Sequence, residues 1–284
     1  MPSLLDIRRR IRSVKNTQQL TKAMKTVSAA KLRRAQERVV SARPYANQLR
    51  HVLADLAGRV ENIEHPLLEV RPEKRILVLV VTADRGLCGG FNSNLTKAAL
   101  NFLRQHAGDE VRLFTAGKKG RDFFRRRNAN IVSEYTNFLS KLDVGHARDI
   151  ATQLVDLYSK AEIDAVYITY NEFKSVIQQR IVVEKLLPLG SGDLKERQSG
   201  VDYIFEQPAQ EIFNRLLPRY VEIEVYRALL ESVAAEHGAR MAAMDTATRN
   251  AGDMIESLTL NMNRVRQAAI TREIIEVVSG AGAQ

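Results

Sequence analysis

A single cysteine, Cys88, stands in a chain of 284 residues. That excludes an internal disulfide framework and a cysteine-rich zinc site, and it points to a reducing, cytosolic setting. Tryptophan is absent and aromatic residues make up only 6%, so there are few stacking platforms of the kind that single-stranded nucleic acid needs. No stretch of 18 consecutive apolar residues occurs. The longest apolar run, Ile76–Val81, has the length of a strand, so the sequence predicts no membrane span of its own. The opening MPSLLDIRRR carries no long apolar segment after its charges and does not read as a secretory signal. Hydrophobic residues at 45% and charged residues at 27% are ordinary globular proportions.

What is present is unevenly spread. The formal net charge is +10, and residues 1–50 hold 13 of the 43 Lys and Arg but only 2 of the 33 acidic residues, Asp6 and Glu37. The excess charge therefore lies in one N-terminal segment. Arg8, Arg9, Arg10, Arg12 and Lys15 open it, and three consecutive arginines about 100° apart make a helix basic all round. Such a field calls for an acidic partner: a sleeve of acidic protein surface, a nucleic acid or an anionic lipid. Tyr45 is the only aromatic residue in the first 50, which weighs against single-strand binding.

Three parts follow from periodicity. From Ser3 to about Ala57 the pattern is helical, opened by a Ser3–Asp6 capping pair. Apolar residues fall at Ile7, Ile11 and Val14, at Leu20, Met24 and Val27, and then in a heptad seam through Ala35, Val39, Ala42, Ala46, Leu49, Leu53 and Leu56. Pro44 is expected to bend or split this helix. From Ala209 to about Ser279 a second seam runs through Leu230, Ala234, His237, Met241, Met244, Thr248, Ala251, Ile255, Leu258, Met262, Val265 and Ala269 without a slip. Pro218 is expected to mark an early break. Between the two lie strand-like runs at Ile76–Thr82, Val111–Ala116, Ile131–Tyr135, Ala165–Tyr170, Ile177–Leu187 and Val201–Phe205. Helical patterns over Ser93–Gln105, Lys118–Arg127 and Val144–Lys160 separate them, and a loop at Gly190–Asp193 joins the last two strands. Strands alternating with helices predict an α/β domain with a mainly parallel sheet. The expected organisation is thus an N-terminal coiled-coil helix over 1–58, a Rossmann-like α/β domain over 59–208 and a C-terminal coiled-coil helix over 209–284. The two helices pair antiparallel. At about 1.5 Å per residue they would be roughly 80 and 105 Å long, so the second outruns the first. Its overhanging end, Glu276–Gln284, is almost uncharged and suits an apolar socket.

No catalytic pattern emerges. The loop TADRGLCGGFN over Thr82–Asn92 sits where an α/β fold places a phosphate-binding turn. Its glycines lack the dinucleotide spacing, and the favoured reading is a tight turn with Asp84 bonding loop amides. Cys88 has no histidine near it in sequence. His51, His65, His106, His146 and His237 lack metal-ligand spacing.

Several runs resemble one known family, the gamma subunits of bacterial F-type ATP synthases. They are IRSVKNTQQLTKAM at Ile11–Met24, VSAAKL at Val27–Leu32, the Thr82–Asn92 loop, LLPL at Leu186–Leu189 and NRVRQAAITREIIEVVSG at Asn263–Gly280. The resemblance spans the chain. It implies a rotor shaft inside a ring of three alpha and three beta subunits, coupling proton-driven rotation of the c ring to ATP synthesis or hydrolysis on alpha and beta, with the epsilon subunit beside the α/β domain. It implies no cofactor, no catalytic residue and no nucleic acid, and a place on the cytoplasmic face of the cell membrane, reached only through the complex. Carried over by motif, Arg266, Gln267 and Thr271 contact beta, with Met24 close to Arg266 and facing beta's mobile lever region. The belt from Arg8 meets acidic segments of beta, and Tyr203, Phe205 and Glu206 lie towards the c ring. Other readings from the residues alone are a basic coiled-coil protein that binds nucleic acid and an α/β enzyme with a helical arm.

Overall fold

The computed structural model describes residues 3–59, 65–175, 178–189 and 208–281. Two helices dominate it. Helix α1, Leu4–Arg59, has 56 residues and α5, Ala209–Ala281, has 73, which makes them about 84 and 110 Å long. Ser3 and Asp6 cap α1 reciprocally: the Asp6 amide donates to Ser3 Oγ at 3.2 Å, and the Ser3 hydroxyl and amide donate back to the Asp6 carboxylate at 2.8 and 3.3 Å.

The helices pair antiparallel, and cross-links fix the register. The Gln18 amide reaches the Thr248 carbonyl at 3.5 Å, Lys25 pairs with Asp245 at 2.5 Å, Arg43 with Glu231 at 2.8 Å and Arg50 with Glu224 at 2.7 Å. The α5 seam is the expected one. The α1 seam is not, between residues 20 and 28. Leu20 and Val27 are exposed, at 62% and 55%, while Thr21 and Ser28 are buried. Steps of seven from Ile7 and Val14 lead to Thr21, Ser28, Ala35, Ala42, Leu49 and Leu56, whereas Leu20 and Val27 lie one residue, about 100°, off that line. The buried hydroxyls are satisfied. Thr248 donates to Thr21 Oγ1 at 2.8 Å, Thr21 to the Gln18 carbonyl at 3.0 Å and Ser28 to the Met24 carbonyl at 2.7 Å.

Neither proline interrupts its helix, so the expected break at Pro218 and a split at Pro44 do not occur. Pro44 cannot donate to the Val40 carbonyl, but both residues face solvent, where water can take that carbonyl. Packing of Ala42, Ala46 and Leu49 then holds the turn together.

Among the described residues, the domain between them holds a five-stranded sheet. In chain order its elements are β1 (Arg75–Val81), α2 (Phe91–Gln105), β2 (Glu110–Ala116), α3 (Lys118–Arg125), β3 (Ile131–Tyr135), α4 (Val144–Ser159), β4 (Ala165–Phe173) and β5 (Gln179–Leu187). The strand order is β3-β2-β1-β4-β5, parallel except for β5, which runs antiparallel to β4. The continuous apolar run of β1 is buried on both faces. Leu77, Leu79 and Val81 pack into a core shared with α4 and the coiled coil, and Ile76, Val78 and Val80 pack against Leu95, Phe102 and Phe124 beneath α2 and α3. The coiled coil thus serves as one of the helical layers of the α/β domain. The expected strand Val201–Phe205, with Tyr203, Phe205 and Glu206, and the loop Gly190–Asp193 lie outside the described residues.

Candidate functional site

The surface of the rod carries most of the candidate residues. Arg8, Arg9, Arg10, Arg12 and Lys15 are all exposed on the first turns of α1. Arg266, Gln267 and Thr271 are exposed on α5, where the Thr271 hydroxyl donates to the Gln267 carbonyl at 2.9 Å. The register that sets Gln18 on Thr248 brings the start of α1 level with the turn around Arg264. Beyond it α5 continues alone, and Ile270, Ile274, Ile275, Val277 and Val278 are 48–72% exposed. The structure does not bring Met24 and Arg266 together. Met24 is half-buried beside the Lys25–Asp245 pair, and Arg266 lies 21 residues beyond Asp245, roughly 32 Å along the axis.

The loop after β1 is a joint. Asp84 Oδ1 accepts from the amides of Lys118 at 3.0 Å and Asn137 at 2.8 Å, so it pins the turns that follow β2 and β3. Asn92 Oδ1 accepts from the Ala83 amide at 2.9 Å, and Thr82 Oγ1 from the Gly120 amide at 2.8 Å. Those bonds hold the loop as a tight joint between the strand ends. Cys88 is buried, and burial pushes its thiol up from the ordinary value, so it packs as a neutral thiol. An open groove of about 660 Å³ runs beside the loop, lined by Gly90, Asn94, Asn171, Ala243 and Asn250 among others.

His237, on the seam, is held down to about 4 by burial and by the nearby charges of Arg240 and Lys31, and is neutral near pH 7. Among the described residues no group of three His, Cys, Asp or Glu is placed to hold a metal ion, and no helix is long and apolar enough to cross a membrane.

Sequence reasoning missed the buried charges of α5. Glu222, Glu224, Glu231, Glu236 and Arg240 are all under 10% exposed, a place charged residues rarely occupy unless paired. Arg219, Arg50, Arg43 and Arg240 neutralise the four carboxylates in turn, at 2.6–2.8 Å. Arg227 adds a bridge to the sheet. It donates to Glu224, to the Tyr170 hydroxyl of β4 at 3.1 Å and to Glu184 of β5 at 3.1 Å. The available signal was Arg43 and Arg50 flanking the α1 seam, matched in antiparallel order by Glu231 and Glu224.

A two-helix rod with an α/β domain packed on its flank and one helical end left bare defines a class, the coiled-coil stalk proteins. A family model described as ATP synthase matches residues 3–283. The chain is 56% identical over 287 residues to the ATP synthase gamma chain of Solibacter usitatus, covering 100% of this chain and 99% of that one. It is 51% identical over 283 residues to the gamma chain of Pelotomaculum thermopropionicum, again covering 100% and 99%. The chain belongs to the ATP synthase gamma-chain family. Among solved structures it is similar to the central stalk and c-ring structure of Tetrahymena thermophila mitochondrial ATP synthase, with a TM-score of 0.62 and 26% identity over 80% of this chain and 99% of that one. A chain of the Euglena gracilis mitochondrial ATP synthase shares the fold, with a TM-score of 0.71 and 20% identity over 99% and 94%.

Proposed function

We propose that this chain is the central shaft of an F-type ATP synthase, a non-catalytic subunit that couples rotation of a c ring to the nucleotide sites of a ring of three alpha and three beta subunits. The observation that carries the reading is the paired rod whose longer helix ends bare, in a chain that belongs to the gamma-chain family. Two helices have no threefold symmetry. Inside a threefold ring such a rod presents a different side to each beta subunit at any instant, and turning it moves each site through the sequence of states its neighbours have left. That is allostery by rigid-body rotation, and chemistry stays on the ring.

The parts then take roles. The bare end of α5, with its exposed Ile and Val side chains, turns in an apolar bearing, since apolar contact is non-directional and does not lock an angle. Arg266, Gln267 and Thr271 contact beta there. Met24 faces beta's lever region one shaft section lower, about 32 Å from Arg266. The belt Arg8–Lys15 meets acidic segments of the ring. The α/β domain sits towards epsilon and the c ring, with Tyr203, Phe205 and Glu206 on that side, and the chain reaches the cytoplasmic face of the membrane only through its partners. The test is recovery of tagged protein from its own cells at moderately high salt with nuclease present. One copy per three alpha and three beta subunits, with ATPase activity, supports the shaft. Recovery alone, or with nucleic acid that leaves on nuclease treatment, overturns it.

A further inference from the structure

The sheet changes winding direction between β1 and β4, the adjacent parallel strands at the centre of its order. In open α/β sheets the crevice at the carboxyl ends of such a strand pair holds the ligand, because strand-end backbone groups are left free there. In this protein the shaft helix α5 packs across that end of the sheet, and two of its side chains bond to the backbone on either side of the open groove there. Glu231 is 2% exposed. Its Oε2 accepts from the backbone N–H of Phe173, the last residue of β4, at 3.1 Å, and its Oε1 accepts from Arg43 of α1 at 2.8 Å. Nine residues further along α5, Arg240 donates to the carbonyl of Gly86, in the loop that follows β1, at 3.2 Å, and to Glu236 at 2.6 Å. One carboxylate thus ties together α1, α5 and the end of β4, and one guanidinium ties α5 to the end of β1.

We propose that this contact between α5 and the sheet is a rotary joint, and that Glu231 and Arg240 are positioning residues that make the domain and the shaft turn as one body. The proposal rests on the shaft reading above. Apolar packing between α5 and the sheet resists separation but has no preferred direction. A torque about the rod axis slides the surfaces tangentially, and the groups that oppose sliding are directional bonds, which weaken steeply when misaligned. Charge-assisted bonds are the stronger kind, and Glu231 and Arg240 make theirs at 2% and 9% exposure.

The experiment uses the assembled complex in inverted membrane vesicles, reading ATP hydrolysis and proton pumping together. If the unaltered chain does not purify with alpha and beta, the shaft reading fails before the joint is tested. In an assembling complex, Glu231→Ala leaves hydrolysis without a gradient within about twofold but lowers protons pumped per ATP several-fold as the gradient builds. Glu231→Gln keeps the acceptor for the Phe173 amide and recovers most of the ratio. Leu229→Ala, which loosens buried packing but removes no tether, leaves the ratio unchanged. A covalent tether gives the complementary test. A Cβ on Gly89, whose φ of 56° makes any side chain there mildly strained, would lie 3.7 Å from the Ala243 Cβ, within the roughly 3.5–4.5 Å that a disulfide spans. With Cys88→Ala and Glu231→Ala in place, Gly89→Cys and Ala243→Cys oxidised by copper phenanthroline restore the ratio, and dithiothreitol abolishes it again. A wild-type ratio in Glu231→Ala overturns the proposal, as does a crosslink that forms and restores nothing. If the alanine variant does not assemble, Arg240→Met reads the other tether, and an unchanged ratio there overturns the proposal equally.

Discussion

At Gly117 the backbone takes a φ of 112°, and a Cβ there would sit 2.1 Å from the Thr82 carbonyl oxygen. The strand end of β1 and the turn after β2 touch at that point, so Gly117→Ala combines a backbone that side chains disfavour with a collision. The expected loss is about 1–3 kcal/mol of stability or more, read from the midpoint of denaturant unfolding. A shift under 0.5 kcal/mol would mean that the turn relaxes freely. His237 argues a pH effect at the same scale. Burial and two cations hold it at about 4 when folded, against about 6.5 when unfolded. The unfolded chain therefore takes the proton first, so this part of the stability is complete above pH 6.5 and drains away as pH falls towards 4. His237→Leu should flatten the decline between pH 6.5 and 4.5 relative to the parent. Burial pushes the neighbouring carboxyl of Glu236 up and gives the opposite slope, but it is present in both proteins and cancels in the comparison. Parallel slopes would dismiss the histidine.

At the scale of elements, the α1 seam separates what apolarity shows from what packing decides. Leu53 is fully buried where the rod meets the domain, and Leu53→Ala should cost about 2–5 kcal/mol. Leu20→Ser and Val27→Ser, on the exposed side, should each change stability by no more than about 0.5 kcal/mol. Thermal melts of the three variants decide it, and a large loss at Leu20 would contradict the register. The strands and helices of the domain were legible because buried parallel strands are continuous apolar runs and the helices between them are amphipathic. The α5 seam was legible because almost all of it is apolar. Thr21 and Ser28 were not, since a heptad search scores a hydroxyl as outside even when its hydrogen bond is made inside. The uninterrupted path through Pro44 and Pro218 was hidden because tertiary packing overrides a local penalty. Of the candidate site, Arg8, Arg9, Arg10, Arg12, Lys15, Arg266, Gln267 and Thr271 all stand in solvent, which leaves them free to meet a partner. The closeness of Met24 to Arg266 failed because it depended on the register between helices, which no single-helix pattern contains. Glu231 was marked only by its antiparallel match to Arg43, and Arg240 by nothing, because a buried charge is distinguished from a surface one only by its partner.

Across the whole molecule the basic end of α1 and the bare end of α5 lie at the same tip of the rod. Replacing Arg8, Arg9, Arg10 and Arg12 by Gln should leave the unfolding midpoint of the chain unchanged, since all four side chains are exposed. It should also flatten the dependence of the complex's ATPase activity on salt between about 50 and 300 mM, because exposed charges beyond a Debye length of about 10 Å at 0.1 M are already screened. An unaltered salt profile would mean that the belt meets no acidic surface. Removing everything after Ala269 should likewise spare the stability of the chain, as the described side chains of that stretch, at 270–275 and 277–279, lie in solvent. A fall in melting temperature would show that the bare end folds back on the rod. The polar layer of Gln18, Thr21 and Thr248 bears on that end as well. A slip of one heptad would set Thr21 against Met241 or Ile255 in place of Thr248 and strand its hydroxyl among apolar groups. It would also move the end of α5 by about 10 Å. A pair of threonine hydroxyls therefore works like the pin in a telescoping pole, and sets how far the longer section reaches past the shorter.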